Sequence, residues 1–247
     1  MNPFYFGTSE RRLFGIYQPP AFGGGGKRAA VLCYPWGHEY LHSHRTMRQL
    51  SLKLAAAGFH TLRFDYYGSG DSGGEPTDTD LNGWELDIEL AIKEMMDIAG
   101  VTKTTLIGLR LGAAAAAAVA CRSPGRIDAL VIWDPIVSGK DYLWQLGAPL
   151  NIETPFEKLG FTLTQNMIRN LVSLDLSVLG LEGFRRKLIL VTDHISPRNS
   201  AQRIAERGHS KLGEVELMTD VLPWIENFAN PGMVPYAVVR RILTWLD

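Results

Sequence analysis

The chain has 247 residues, 46% hydrophobic and 21% charged, which supplies enough apolar side chains for the core of one α/β domain. Its 25 basic and 26 acidic side chains give a net charge of −1, so neither nucleic acid nor an anionic membrane surface is an expected partner. Two cysteines do not predict a disulfide framework, and no signal peptide or spanning segment is evident, so a cytoplasmic protein without a membrane span is expected.

The first part of the chain alternates between strand-like and helix-like patterns. A short hairpin is predicted first, followed by a glycine-rich tract that is expected to be flexible. Two continuous apolar runs then predict buried strands, and two stripes at helical spacing predict helices. In chain order these segments are Phe4–Phe6 with Leu13–Tyr17, the tract Phe22–Gly26, the strand Ala29–Tyr34, the helix His44–Ala57, the strand Phe59–Asp65, and a helix from Leu81 to Ala99 capped by Asp80.

The same alternation continues in the second part. The predicted elements are the strand Thr104–Leu109, the small-residue helix Leu111–Cys121, the strands Ala129–Asp134, Lys187–Asp193 and Val215–Met218, a helix over about 199–207, and the closing helix Val234–Leu246. Strands that alternate with helices of this length predict right-handed crossovers. The predicted fold class is therefore α/β, with a doubly wound and mainly parallel sheet.

Residues 137–186 interrupt this rhythm. They carry large apolar side chains, including Tyr142, Trp144 and Phe161, without a strand-like core run. The segment is interpreted as a helical cap over the carboxyl ends of the strands, where ligands bind in such sheets. The predicted core is accordingly 1–136 with 187–247, and the cap is 137–186. Trp144 of the cap is expected to contact the substrate together with Trp36, Gly37, Glu39 and Leu111 of the core.

Three motifs follow one another in the chain, each placed directly after a predicted strand. They are Tyr34-Pro-Trp-Gly-His-Glu39, Asp65-Tyr-Tyr-Gly-Ser-Gly-Asp-Ser72 and Gly108-Leu-Arg-Leu-Gly112. In order and spacing the set resembles the α/β-hydrolase superfamily, and within it the serine-aminopeptidase-like hydrolases. It is also similar to bacterial hydrolases with a Gly-Leu-Arg-Leu-Gly elbow, some of them associated with exosortase systems. The resemblance implies the α/β-hydrolase fold over nearly the whole chain.

The third motif corresponds to the nucleophile elbow of that superfamily. Glycines two residues before and after the central residue permit a tight turn from a strand into a helix. The resemblance implies that the Leu111 N–H and an amide of the Trp36–Gly37 loop form an oxyanion hole. Serine is the expected central residue, but this chain has Arg110, whose guanidinium stays protonated and cannot attack a carbonyl.

The sequence offers candidates for the acid of a catalytic triad but none for its histidine at the expected position. Asp193 follows the penultimate core strand, and Asp134 follows the strand before it, so either could be the acid. The histidine is expected after the last strand, yet no histidine occurs after His209. Two of the three triad members are therefore missing from their expected positions, which argues against ordinary serine-hydrolase chemistry.

Arg110 itself admits two interpretations. It could be a fixed cation that binds a carboxylate, phosphate or thioester-linked ligand together with the helix N-terminus. It could equally be held by an internal salt bridge to Asp134, Asp193 or Glu39 and stabilise the loops.

Histidines near the first motif are the remaining candidates. His38 could act as a displaced acid or base, although a hydrogen-bonded loop histidine without a catalytic role is the more common case. His42 and His44 have no third ligand at a spacing that fixes metal geometry, so no metal is expected, and no cofactor either.

These observations predict three possible functions. The first is a hydrolase-family protein that has lost serine chemistry and binds an anionic, acyl, ester or thioester small molecule in a capped site, with or without non-covalent catalysis. The second is a non-catalytic binding or accessory protein. The third is an active hydrolase with a relocated nucleophile, for which Ser138 and Ser43 are the candidates.

Overall fold

The structure is a computed structural model that describes residues 1–21, 27–150, 155–181, 184, 186–192, 215–222, 224 and 233–247. The strands are β1 Asn2–Gly7, β2 Arg12–Gln18, β3 Arg28–Cys33, β4 Phe59–Phe64, β5 Thr104–Leu109, β6 Ile127–Trp133, β7 Phe156–Lys158, β8 Phe161–Leu163, β9 Lys187–Thr192 and β10 Val215–Met218. The helices are α1 His38–Ala56, α2 Leu81–Ala99, α3 Leu111–Arg122, α4 Gly139–Leu146, α5 Gln165–Ser173 and the closing helix, here α6, Tyr236–Leu246.

The main sheet has the strand order β1-β2-β4-β3-β5-β6-β9-β10 among the described residues. The hairpin β1–β2 is antiparallel and joins β4 in antiparallel register, whereas the remaining neighbours pair in parallel. The carboxyl ends of β3, β4, β5 and β6 therefore lie along one edge of the sheet, with β3 between β4 and β5. The predicted α/β fold with a mainly parallel sheet is confirmed.

Side chains of the central strands are almost completely buried, because helices cover both faces of the sheet. All six residues of β5 and the last five of β3 are buried. Such strands show a continuous apolar run and no alternation, which is why they were recognisable in the sequence. Where the chain is described, no helix has the length and apolarity needed to cross a membrane.

Helix α1 begins at His38, six residues before the predicted start at His44. The first turn does not face the sheet: the His38 ring packs against Phe161, and Glu39 contacts Arg110. The apolar stripe that predicted the helix begins only at Met47, so it could not reveal these turns.

The insert between β6 and β9 is not purely helical, contrary to the prediction. Besides α4 and α5 it contains the antiparallel hairpin β7–β8, which turns at Leu159 and Gly160 with φ of 53° and 82°. Each strand has three residues, and only Leu163 of this hairpin is fully buried, so no strand-like run was visible in the sequence. The predicted glycine-rich tract 22–26 and the helix over 199–207 lie outside the described residues.

Candidate functional site

The turn from β5 into α3 has the geometry of a strained elbow. Arg110 occupies its apex with φ 55° and ψ −121°, directly before the first residue of α3. A Cβ on Gly112 would lie 2.2 Å from the Tyr34 carbonyl oxygen, and one on Gly108 would lie 2.4 Å from the Ala113 Cα. Only glycine fits at both positions, because the helix starts in contact with the end of β3 and with its own strand.

The guanidinium of Arg110 forms an ion pair with Glu39 of α1. Its Nε and Nη2 atoms both lie 2.9 Å from Glu39 Oε1, and its Nη1 donates a 3.4 Å hydrogen bond to the Asp134 carbonyl. The two charged side chains are only 11% and 14% exposed. Three carboxylates were predicted as possible salt-bridge partners of Arg110. Within the described part of the chain, Glu39 is the one whose side chain pairs with it.

Two aromatic rings flank this ion pair. The guanidinium carbon lies 5.1 Å from the centre of the Trp224 ring and 5.8 Å from that of Tyr142, distances at which a cation is attracted to the ring face. The Tyr142 hydroxyl also donates a 3.3 Å hydrogen bond to Glu39 Oε2. Burial opposes the charged guanidinium, but the negative charge of Glu39, together with Tyr142, raises the pKa of Arg110 above its ordinary value.

Trp224 was not singled out in the sequence, although its position in the chain is informative. It follows β10 by six residues, in the part of the chain where the resemblance implies the triad histidine. Its side chain is 9% exposed. A tryptophan at the position expected for the histidine, in a chain with arginine at the elbow, could have predicted that Trp224 packs on Arg110.

The amides that the resemblance implies for an oxyanion hole belong to Leu111 and to the Trp36–Gly37 loop. Leu111 is the first residue of α3, and Trp36 precedes Gly37, which turns the chain into α1 with φ 64°. Among the hydrogen bonds made within the described part of the chain, neither the Leu111 N–H nor the Trp36 N–H has an acceptor.

Asp134 lies next to Arg110 but directs its carboxylate elsewhere. Its two oxygens accept 2.6 Å hydrogen bonds from the Thr192 amide and the Thr192 hydroxyl. Burial raises the pKa of Asp134 to about 7, although Thr192 and the charge of Arg110 act in the opposite direction. The other candidate acid, Asp193, lies outside the described residues.

His38 faces the insert. Its Nδ1 lies 3.2 Å from the Nε2 of His42, and its ring packs edge-on against Phe161 at 5.9 Å. In the described ranges no three His, Cys, Asp or Glu side chains come close enough to hold a metal ion. Trp144 is 57% exposed on α4.

The two serines considered as relocated nucleophiles have local structural partners. Ser43 is fully buried and donates to the Tyr40 carbonyl within α1 at 3.2 Å. Ser138 caps α4 by accepting a 3.3 Å hydrogen bond from the Asp141 amide. Both contacts are typical of structural hydroxyl groups in helices.

A cavity of about 300 Å³ lies beside the elbow, on the β4 side of the Trp36–Gly37 loop. It is enclosed by this loop, the start of α1, the loop after β4, and β8 with α5 of the insert. Arg110, Glu39, Leu111 and Trp144 do not line it. Its large apolar walls are Trp36, Tyr40, Tyr66, Trp84, Phe161 and Met167. Of the predicted substrate-binding residues, therefore, only Trp36 and Gly37 contact the cavity.

A search for sequence relatives identifies one family over more than half of the chain. The model of the family described as serine aminopeptidase, S33, matches residues 27–179, from β3 through the insert. No curated protein matches the chain significantly.

Three solved structures of similar fold are distant from this chain in sequence. Est1E from Butyrivibrio proteoclasticus, described with ferulic acid bound, superposes with a TM-score of 0.74 at 18% identity, over 98% of this chain and 97% of that one. An α/β serine hydrolase homologue from Coxiella burnetii gives 0.59 at 18% identity, over 88% and 86%. XC6422 from Xanthomonas campestris, described as an α/β serine hydrolase without a lid, gives 0.64 at 11% identity, over 99% and 93%. At these identities the comparisons show the fold alone.

Proposed function

This chain belongs to the serine aminopeptidase S33 family of α/β hydrolases, and we propose that it binds a small acyl compound without hydrolysing it. The single observation that carries the proposal is Arg110 at the apex of the elbow, held by Glu39. A protonated guanidinium has no lone pair with which to form an acyl-enzyme, and its ion pair fills the position of a nucleophile.

The proposal also rests on the positions expected for the histidine and the acid of the triad. Trp224 stands in the segment that carries the histidine in the family, and it stacks on Arg110 instead of accepting a proton. The Asp134 carboxylate is engaged by Thr192 and is not directed at a base. Among the described residues neither a nucleophile nor a base lies at the elbow, and this supports the proposal of a degenerate triad.

Binding is supported by the enclosed space under the insert. We treat residues 137–186 as a cap on a core of 1–136 and 187–247, because β8 and α5 close the cavity from above. An acyl compound is the class suggested by the family and by the ferulic acid described with Est1E. Without a nucleophile, such a compound would be retained and released unchanged.

A second candidate is a carboxylate ligand anchored at the elbow by Arg110. The observation in its favour is the N-terminus of α3, where the Leu111 N–H has no acceptor among the described residues. Such a ligand would have to compete with Glu39 for the guanidinium. It would then bind more tightly than its neutral amide by about tenfold or more, and Arg110→Gln would remove most of that difference.

The proposal is tested by assaying purified protein with p-nitrophenyl esters and a fluorophosphonate probe. We expect no labelling and only background turnover in the wild type and in Arg110→Ser, because removing the nucleophile alone costs on the order of a millionfold in a working triad enzyme. Arg110→Ser with Trp224→His supplies both missing groups and serves as the comparison. Ester turnover by the wild type at ordinary enzymatic rates would refute the proposal, and loss of that turnover in Ser138→Ala or Ser43→Ala would identify a relocated nucleophile.

A further inference from the structure

We infer that the cavity beside the elbow is the ligand site and that it takes a neutral, flat aromatic molecule in preference to an anion. This inference deepens the proposed function, because it names the place and the chemical class of the ligand.

The walls offer aromatic surface on two sides. Tyr66 and Trp84 are stacked with parallel rings 3.9 Å apart, and both are 2% exposed, so this wall is rigid. Phe161 meets the Trp36 ring edge-on at 5.9 Å and belongs to the insert, so this second wall comes from β8. A flat ring gains dispersion contacts and edge-to-face contacts against such surfaces.

No ionisable Asp, Glu, Lys, Arg or His side chain is among the described residues that line the cavity. The polar side-chain groups of the lining residues are hydroxyls and the indole N–H groups of Trp36 and Trp84. The hydroxyls of Ser69 and Thr162 and the Trp84 N–H make no hydrogen bond to the described part of the chain. Hydroxyls can satisfy one or two polar atoms of a neutral ligand. They cannot compensate the cost of removing a carboxylate or phosphate from water.

The acidic side chain behind the Tyr40 wall of the cavity has the wrong sign for an anionic ligand. The Tyr40 hydroxyl donates a 2.8 Å hydrogen bond to Asp65, and the other oxygen of Asp65 accepts from the Asp71 amide at 3.1 Å. The nearest cation of the elbow, Arg110, is already paired with Glu39 and does not line the cavity. Electrostatics therefore oppose an anionic ligand here.

The size of the cavity limits the ligand to one or two rings. A volume of about 300 Å³ is at the lower end of small-molecule sites. Leu41, which lines the cavity, is 54% exposed, so apolar surface continues to solvent and provides a route for entry.

The inference is tested by calorimetry with a matched pair of probes, 2-naphthamide and 2-naphthoate. The two have nearly the same shape and differ in charge. We expect saturable binding of the amide and at least tenfold weaker binding of the carboxylate to the wild type. Binding of the amide should also change tryptophan fluorescence, because Trp36 and Trp84 line the cavity.

Two phenylalanines of the same hairpin provide a matched pair of variants. Phe161→Ala removes one wall and should weaken amide binding by about tenfold or more. Phe156→Ala removes an equally large ring from the neighbouring strand β7, where it does not line the cavity, and should leave binding within about threefold of the wild type.

Three results would overturn the inference: no saturable binding of the amide by folded protein, equal loss of binding in both phenylalanine variants, or binding of the carboxylate as tight as that of the amide. Tighter binding of the carboxylate that disappears in Arg110→Gln would instead place the ligand at the elbow. Hydrolysis of a 2-naphthoate ester by the wild type would refute the proposed function and leave the result on binding intact, so the two failures are distinguishable.

Discussion

Arg110 and Glu39 depend on each other at the elbow, because each would be a nearly buried, unpaired charge without its partner. The rings of Tyr142 and Trp224 flank the guanidinium and leave little of the pair exposed to solvent. Replacing both members of such a pair is commonly tolerated, whereas removing one of them is strongly destabilising. Breaking this pair should therefore lower the free energy of unfolding more than breaking an exposed salt bridge does.

We predict that Glu39→Gln lowers the free energy of unfolding by about 3 kcal/mol, because Arg110 then remains buried without a counter-charge. Adding Arg110→Met should recover most of this loss. The control is Glu216→Gln, which breaks the ion pair with Arg241, where the side chains are 33% and 32% exposed. That change should cost less than about 1 kcal/mol in the same urea titration. Equal effects of the two glutamine substitutions would contradict the prediction.

Asp134 should make the stability of the protein depend on pH. Its carboxyl has a pKa of about 7 in the folded state, against about 3.9 in an unfolded chain. The folded state therefore binds the proton more tightly, and the stabilisation that this provides is fully present below pH 4 and is lost as the pH rises through 7.

The test is to compare the wild type with Asp134→Asn by chemical unfolding between pH 4 and pH 8. Asparagine preserves the shape and tolerates the φ of 42° at this position. Relative to the variant, the wild type should lose on the order of 4 kcal/mol at most over this range. Parallel pH profiles, or a wild type that gains stability relative to the variant as the pH rises, would show that the carboxyl is not held in its neutral form.

At the scale of elements, the elbow depends on how closely α3 approaches the end of β3. The helix is rich in alanine, and its residues from Leu111 to Ala117 are buried between the sheet and α2. Gly112 lies where the helix meets the Tyr34 carbonyl. Small side chains along α3 thus set the distance between helix and sheet, and this distance places residue 110 over the strand ends.

We predict that Gly112→Ala destabilises the fold by about 3 kcal/mol, because the added methyl group would meet backbone atoms that cannot move independently. Gly125→Ala is the matched control, since nothing lies within 4 Å of its added Cβ. That control should change stability by less than about 0.5 kcal/mol. Thermal unfolding of the two variants compares them directly, and similar melting temperatures would contradict the proposed close contact.

At the scale of the whole molecule, the insert and the sheet share one hydrophobic core. Leu163, Ile168 and Leu171 of the insert are fully buried in the same cluster as the residues of the central strands. Asn170 of α5 also accepts a 3.2 Å hydrogen bond from the Leu81 amide at the start of α2. The cavity walls supplied by the insert are therefore fixed by packing that extends through the domain, which keeps Phe161 close to Trp36.

The order of the main strands and helices and the elbow with its two glycines could be predicted from the sequence. The sequence also has arginine where the resemblance implies serine, and it has no histidine after His209. These features follow from local periodicity and from residue identity, which need no knowledge of distant contacts. The start of α1 and the hairpin of the insert were missed, because their partners are contributed by other segments and their own apolar patterns are too short.

The partner of Arg110 and the location of the cavity depend on contacts between distant segments and could not be predicted from the sequence. Glu39 is 71 positions away in the chain and was one of three carboxylates that could have paired with the guanidinium. Trp224 reaches Arg110 because β10 and β5 end at the same edge of the sheet. The cavity is likewise assembled from loops after β3 and β4 and from the insert, and no single segment contains its shape. Spacing along the chain constrains neighbours within an element, whereas ion pairs and cavities depend on distances that exist only after the sheet has formed.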